Sequence, residues 1–325
     1  MVLILTHSEI TGLLDRDEVR KAVELAHAGL ARGDWHNPAP RAIALGDDGS
    51  AIPMTASGGG YVSVKMLCDL PANRARGLPV QRSSIMVTSA STGECLAILD
   101  GRAVTAMRTA AVSAVATDHL ARRDTAVLGL IGAGNLAVEH ARAISAVRDI
   151  QKIVVWTRST ATLDAFEART QDIGIAVERV SSPEAVVAAA DVVCTLTPAR
   201  DPVLLGAWLR AGQHVNAVGA PPRPDHREVD GEAMTRSRIV VDSHDTAMAK
   251  SGGVLLALAE GAITEDDART ELGQVIVGAR PGRSHADDVT LFESVGLGLQ
   301  DLATAELVLA RAAELGVGTT VDLSA

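Results

Sequence analysis

The run Gly132-Ala133-Gly134-Asn135-Leu136-Ala137 joins an apolar stretch at 125–131 to a helical pattern, and its spacing implies chemistry more directly than any other part of the chain. In such a turn Gly132 allows the tight bend, Gly134 lets backbone approach a pyrophosphate, and Ala137 leaves room for close helix-to-strand packing. Free N–H groups at the helix start face the anion. The turn therefore implies a bound dinucleotide. In the NAD-binding pattern an acid about 20 residues further on, at the end of the second strand, holds the ribose 2′-hydroxyl. Here Thr157-Arg158-Ser159 follows Trp156, with no acid among them. A guanidinium between two hydroxyls suits a 2′-phosphate, so NADP(H) is expected in preference to NAD(H). Thr195 and Thr197, at the end of a later strand, stand where ligands gather in open parallel sheets and could line the nicotinamide side.

Three cations occur among apolar neighbours. Lys65 lies in Tyr61-Val62-Ser63-Val64-Lys65-Met66-Leu67, Arg108 in Val104-Thr105-Ala106-Met107-Arg108-Thr109-Ala110-Ala111, and Arg41 in Pro40-Arg41-Ala42-Ile43. Lysine and arginine are seldom buried without a partner, so the three are candidates for gripping a substrate anion. The nine histidines form neither HxH nor HExxH, and Cys68, Cys95 and Cys194 lack CxxC spacing, so no metal centre is expected.

These groups need elements to hold them. Residues 15–32 place Val19, Val23, Ala26 and Leu30 on one helical face, and Ser8 or Thr11 could cap a shorter helix before them. Between 38 and 99, alternating runs at 41–45, 51–56, 61–67, 84–89 and 95–99, broken by glycine clusters, imply an antiparallel or mixed sheet. An alanine-rich helix at 105–120 leads to the polar joint Ala121-Arg122-Arg123-Asp124. Beyond it, 125–131 is continuously apolar, as a strand buried on both faces must be. Helix 135–147, strand 152–156, helix 161–170, a short strand near Ala176, helix 183–189 and strands at 192–195, 214–218 and 239–241 follow. That alternation implies the α/β class, with a Rossmann doubly wound domain at 121–296 beside an α+β substrate-binding domain at 1–120. A helical pattern at 295–315 carries Leu299, Leu302, Ala305, Val308 and Leu309 on one side, so 297–325 is expected to return to the first domain.

Composition narrows the function classes. The 325 residues, 47% of them hydrophobic, can build about two domain cores. Net charge is -10 and the 30 basic residues are scattered, which argues against a nucleic-acid partner. Polar residues interrupt Met1–Leu5 at once, no apolar stretch is long enough to span a membrane, and the cysteines are odd in number, so a cytoplasmic location is expected.

The chain resembles the ornithine cyclodeaminase/μ-crystallin family almost end to end. The resemblance rests on Arg41, Met54, Lys65 and Asn73, on Leu99-Asp100-Gly101 with Thr105-Ala106-Met107-Arg108-Thr109-Ala110-Ala111, and on Ile131-Gly132-Ala133-Gly134. Val215-Asn216-Ala217-Val218-Gly219-Ala220, Thr290-Leu291-Phe292-Glu293-Ser294-Val295-Gly296 and Gln300-Asp301-Leu302 extend it. It implies a homodimeric enzyme whose first domain supplies the dimer contact and substrate residues. Arg41 and Arg108 would hold a substrate carboxylate, and Lys65 would contact the carboxylate and imine region. Asn135, Leu136, Thr157, Arg158, Thr197, Val218 and Ser294 fall on nucleotide-contacting positions.

Two departures bear on the reaction. Where ornithine cyclodeaminases carry an aspartate for the substrate's side-chain amine this chain has Pro221, and where they carry a glutamate it has Ile52. The stretch Arg223-Pro224-Asp225-His226-Arg227-Glu228-Val229-Asp230 is instead similar to the μ-crystallin and imine reductase branch, although Asp225 could substitute if its loop re-aims it. The expectation is NAD(P)H-dependent reduction of a cyclic ketimine carboxylate, with Lys65 as general acid. A cyclodeaminase or amino-acid dehydrogenase of the same family, and a non-catalytic NADPH-dependent binding protein like μ-crystallin, are the alternatives.

Overall fold

The computed structural model describes residues 1–46 and 48–323. In chain order the elements are β1 (Val2–Leu5), α1 (His7–Leu13), α2 (Arg16–Arg32), β2 (Ile43–Leu45), β3 (Gly49–Gly58), β4 (Tyr61–Asp69), β5 (Gln81–Ser89), β6 (Cys95–Asp100) and α3 (Gly101–Leu120). Then come β7 (Val127–Ile131), α4 (Asn135–Ser145), β8 (Lys152–Trp156), α5 (Thr160–Thr170), β9 (Ala176–Arg179), α6 (Pro183–Ala189), β10 (Val192–Thr195) and β11 (His214–Ala217). The remainder are α7 (Gly231–Thr235), β12 (Ser237–Val241), α8 (His244–Lys250), α9 (Gly252–Ala259), α10 (Leu272–Ile276), β13 (Val289–Glu293), α11 (Gly298–Leu315) and β14 (Thr319–Val321). They form two compact units, Met1–Arg108 with Leu297–Ala325, and Thr109–Gly296. The sequence places a joint at 121–124, after α3; the division falls within that helix.

In the first unit the sheet order is β14-β1-β6-β5-β4-β3-β2, with β1 parallel to β6 and every other pair antiparallel. Register sets Leu5, Leu99, Ile85, Lys65 and Met54 in one row across five strands. All five are buried, on the face that packs with the apolar side of α11. The neighbouring row, Ile4, Ile98, Met86 and Val64, lies on the opposite face by the period-2 rule. There Ile4, Val62, Met66, Met86 and Ile98 are 37–42% exposed. Arg41 stands outside β2, which begins at Ile43 rather than at 41. The first helix is capped by neither Ser8 nor Thr11: Glu9 accepts from the Thr6 backbone N–H and hydroxyl at 2.8 and 2.7 Å.

The second unit is a seven-stranded parallel sheet of order β12-β13-β11-β10-β7-β8-β9. Strand order reverses at β7, leaving a crevice at the carboxyl ends of β7 and β10. Helices cover both faces, and residues alternating along β7 enter two separate cores, Leu128 and Leu130 on one side, Ile131 on the other. This is the Rossmann doubly wound arrangement. β13, buried throughout, had no counterpart in the sequence reading.

Three imidazoles are buried in these cores. His140 bridges the Leu136 carbonyl (2.7 Å) and the Ser113 hydroxyl (2.9 Å), and His214 contacts Thr290 Oγ1 (2.9 Å) and Asn216 Oδ1 (3.3 Å). Burial pushes His140 down to about 4; burial and nearby arginines hold His214 and His27 down at about 3. The unfolded chain takes up these protons near pH 6.5 while the folded chain resists until pH 3–4, so this stability is present above pH 6.5 and drains away as pH falls through that window. Each histidine steepens the acid limb by ~1.4 kcal/mol per pH unit. Denaturant unfolding between pH 7 and 4 should therefore give H214Q an acid slope shallower than wild type by one proton's worth; equal slopes would contradict the assignment.

Candidate functional site

Lys65 arrives in the first unit's interior because β4 alternates, and its ammonium has to find oxygen among leucines and methionine. It donates to Thr105 Oγ1 at 2.7 Å and to Asp301 Oδ1 at 3.0 Å. Thr105, one turn into α3, passes its own proton to the Gly101 carbonyl at 2.6 Å, so its oxygen must accept from the lysine. Arg108, one turn further along α3, donates through Nε to the same Asp301 Oδ1 at 3.1 Å and through Nη1 to Gln300 Oε1 at 2.8 Å. Lys65 is 1% exposed and Asp301 not at all. One carboxylate thus holds two buried cations, and the three groups together sum to one positive charge. Asp301 Oδ2 is buried without a hydrogen-bond partner among the described residues.

The expected partner of these cations was a substrate anion; the resident one is a protein carboxylate from α11. Arg41 does not join them. It lies exposed, with no hydrogen bond or ion pair among the described residues. Met54 pairs with Lys65 in register, and Asn73 is buried with its amide donated to the Pro79 carbonyl at 2.9 Å.

In the second unit the glycine turn lies at the carboxyl end of β7. Gly132 has φ +112°, and a Cβ there would come within 2.8 Å of the Leu196 carbonyl oxygen, so a side chain is excluded. Gly134 is the N-cap of α4, no side chain caps that helix, and a Cβ added at Gly134 would meet nothing within 4 Å. Uncapped amides beside open space fit a dinucleotide pyrophosphate. In the first turn Asn135 is exposed and Leu136 half-buried, and Arg169 donates to Asn135 Oδ1 at 2.7 Å. After β8, Thr157 is half-buried and Arg158 is exposed with no protein partner among the described residues. Ser159 has a second task, since its hydroxyl accepts from Thr162 N at 3.2 Å and caps α5.

The threonines after β10 face inward. Thr195 Oγ1 donates to Glu228 Oε2 at 2.8 Å, and the Thr197 N–H and hydroxyl donate to Oε1 at 2.6 and 2.7 Å. Gly219 N–H, next to Val218, donates to Oε2 at 2.6 Å. Glu228 therefore ties the ends of β10 and β11 together. Burial raises its carboxyl above the usual range, with these four donors opposing the shift. Ser294 is buried and donates to Asp242 Oδ2 at 3.2 Å, which also accepts from the N–H groups of Val295 (3.0 Å) and Gly296 (2.7 Å). Glu293 accepts from Ser251 Oγ at 2.7 Å, and burial beside Glu228 and Asp242 pushes it up to about 8. Asp225 is engaged by Arg200 at 3.1 Å and His226 at 2.9 Å, so its carboxylate is committed away from the role lost at Pro221.

Asp301, Gln300, Glu228 and Asp242 were not recognised as site residues from sequence. For Asp301 a signal existed: Ala305 and Val308 follow at i+4 and i+7, which puts an acid on the buried stripe of α11. Glu228 lies in the Arg223–Asp230 stretch that carries part of the family resemblance, but the segment from 218 to 230 has no periodicity to show that its side chain turns inward.

Residues 2–316 match the family model described as ornithine cyclodeaminase/mu-crystallin. The Δ1-pyrroline-2-carboxylate reductase of Thermococcus litoralis, solved in complex with NADH and L-proline, is 34% identical, with a TM-score of 0.93 over 98% of this chain and 100% of that one. An archaeal alanine dehydrogenase, solved as a dimer with bound NAD, is 32% identical with a TM-score of 0.94 over 99% of both chains. The iminosuccinate reductase of Paracoccus denitrificans, in complex with NAD+, is 30% identical with a TM-score of 0.91 over 99% of both. With its fold, its glycine turn and its full length in agreement, the chain belongs to the ornithine cyclodeaminase/mu-crystallin family.

Proposed function

We propose that this protein is an NAD(P)H-dependent oxidoreductase acting on C=N, reducing a cyclic ketimine carboxylate such as 1-pyrroline-2-carboxylate or 1-piperideine-2-carboxylate to the cyclic amino acid. The observation that carries the reading is the buried Lys65–Asp301–Arg108 cluster, in which two interior cations share one carboxylate. A second cationic site on the same chain, made by Arg158, receives the dinucleotide. The similar proteins that act on pyrroline-2-carboxylate and iminosuccinate support the C=N assignment.

The nicotinamide supplies hydride to the imine carbon when bound. The protein's own part is to hold the carboxylate and to manage one proton. Arg108 offers a guanidinium fixed at Nε by Asp301 and at Nη1 by Gln300, so its direction is set before substrate arrives. Arg41, exposed and unpaired, closes on the same carboxylate. Lys65 holds the proton destined for the imine nitrogen, which makes the carbon a better hydride acceptor. Asp301 and Thr105 keep that ammonium in place.

Arg158 makes NADP(H) the preferred cofactor, although the three similar structures hold NAD(H). An exposed guanidinium without a resident carboxylate is free to take a 2′-phosphate. Two copies associate through the sheet face of Ile4, Val62, Met66, Met86 and Ile98, since five adjacent apolar side chains each more than a third exposed form a patch of the kind that marks an interface. No helix among the described residues is long and apolar enough to cross a membrane, and we place the protein in the cytoplasm.

With 1-pyrroline-2-carboxylate and NADPH, loss of nicotinamide absorbance should be seen, while pyruvate plus ammonia should give little; the reverse ranking would favour an amino-acid dehydrogenase. K65M should lower kcat by about 10²–10⁴-fold with the Kd for NADPH unchanged, and unaltered turnover would remove Lys65 from the mechanism. R158A should weaken NADPH about 10–100-fold and NADH hardly at all, as read by nicotinamide fluorescence titration. M86E with I98E should convert a dimer to a monomer in light scattering; a wild-type monomer would refute the interface.

A further inference from the structure

Behind Arg108 lies a second layer of buried hydrogen bonds that the proposed chemistry does not use. Gln300 Oε1 accepts from Arg108 Nη1 at 2.8 Å and from the Leu297 N–H at 3.3 Å. Two donors on that side leave the amide only one orientation: its nitrogen must face away from them, toward His27 Nε2 at 3.1 Å. An amide nitrogen only donates, so His27 Nε2 accepts and its proton sits on Nδ1. That Nδ1 is buried and has no hydrogen-bond partner among the described residues. An unpaired donor is retained in a fully buried ring, and the gain it offsets is a fixed acceptor for Gln300.

We propose that His27 is a positioning residue for substrate binding, acting through Gln300 to hold the Arg108 guanidinium in the direction that meets the substrate carboxylate. His27 belongs to α2, on the stripe of Val19 and Val23, whereas Gln300 is on α11 and Arg108 on the first part of α3, so the three residues, all in the first unit, link three helices. A protonated imidazole would present N–H to the amide N–H. The amide would then turn its own nitrogen on Arg108 and Leu297. Burial and the adjacent Arg108 charge both oppose that protonation. His27 is therefore neutral throughout the working range, and the relay holds one state.

The proposal rests on reading Arg108 as a carboxylate ligand, and the experiments separate the two. In protein labelled with 15N-histidine, the ring shifts of His27 should report a neutral Nδ1–H tautomer from pH 8 to pH 5; an Nε2–H tautomer or an imidazolium would overturn the relay whatever the substrate. In kinetics with 1-pyrroline-2-carboxylate, H27F should raise KM about tenfold, the cost of one charged hydrogen bond losing its alignment, with kcat within about twofold. H27Q, whose amide oxygen reaches the place of Nε2, should return KM to within about twofold of wild type. If H27F fails to fold, H27N, whose acceptor falls short, should give a smaller rise. R108K is the control: a raised KM in R108K with none in H27F or H27N overturns the role of His27 alone, and no change in R108K overturns the carboxylate reading and the His27 proposal with it.

Discussion

Asp301 Oδ1, accepting from both Lys65 and Arg108, is the contact on which the first unit depends. The β4 alternation leaves a lysine in a row of Leu5, Leu99, Ile85 and Met54, and α3 brings an arginine to the same interior. Two like charges without a counter-ion would cost several kcal/mol each, so the sheet can be covered on that face only by an element carrying an acid. That element is α11, nearly 200 residues further along the chain than Arg108. The return of the C-terminal helix to the first sheet is thus an electrostatic necessity as well as an apolar one. Its remaining inward residues, Leu299, Leu302, Ala305 and Val308, supply the hydrophobic part.

The second unit solves a related problem differently. Parallel strands end with backbone N–H groups that no helix satisfies, and three buried acids are collected there. Glu228 takes donors from the ends of β10 and β11, and Asp242 takes those after β13. Both carboxyls accept from several N–H or O–H donors, which is what makes such burial tolerable. Glu293 has the Ser251 hydroxyl and two acidic neighbours, and it holds its proton to about pH 8.

The legible parts of the sequence were those where one physical rule acted alone. β7, β8 and β10 were readable because strands buried on both faces are continuously apolar, and α2 because one face repeats at 3.6 residues. The glycine turn was readable because its backbone demands Gly at 132. β1, β13 and β14 escaped because three to five residues carry too little periodicity to separate strand from loop. The lysine and arginine were recognised as candidates for the site, yet their resident partner was not, because pairing across 236 residues is decided by tertiary packing. Arg41 shows the converse limit: apolar neighbours in sequence suggested burial, but it precedes β2 and remains in solvent. Thr197 was chosen for its place at a strand end and Ser294 from the family resemblance, and in the structure both hydroxyls donate to protein carboxylates.

Charge counting also bears on which imine the proposed site favours. Among themselves Lys65, Arg108 and Asp301 sum to one positive charge, the complement of one carboxylate. A second substrate carboxylate would find no further cation in the cluster, Arg41 being assigned to the first, and would pair in solvent, where an ion pair contributes about 0–1 kcal/mol. On the carboxylate reading, the buried cluster is therefore matched to a monocarboxylate ketimine, and a dicarboxylate would pair its second charge only at the surface. The neutral His27 on the far side of Gln300 fits the same count. A charged imidazole there would leave the cluster with an excess that a single carboxylate could not neutralise.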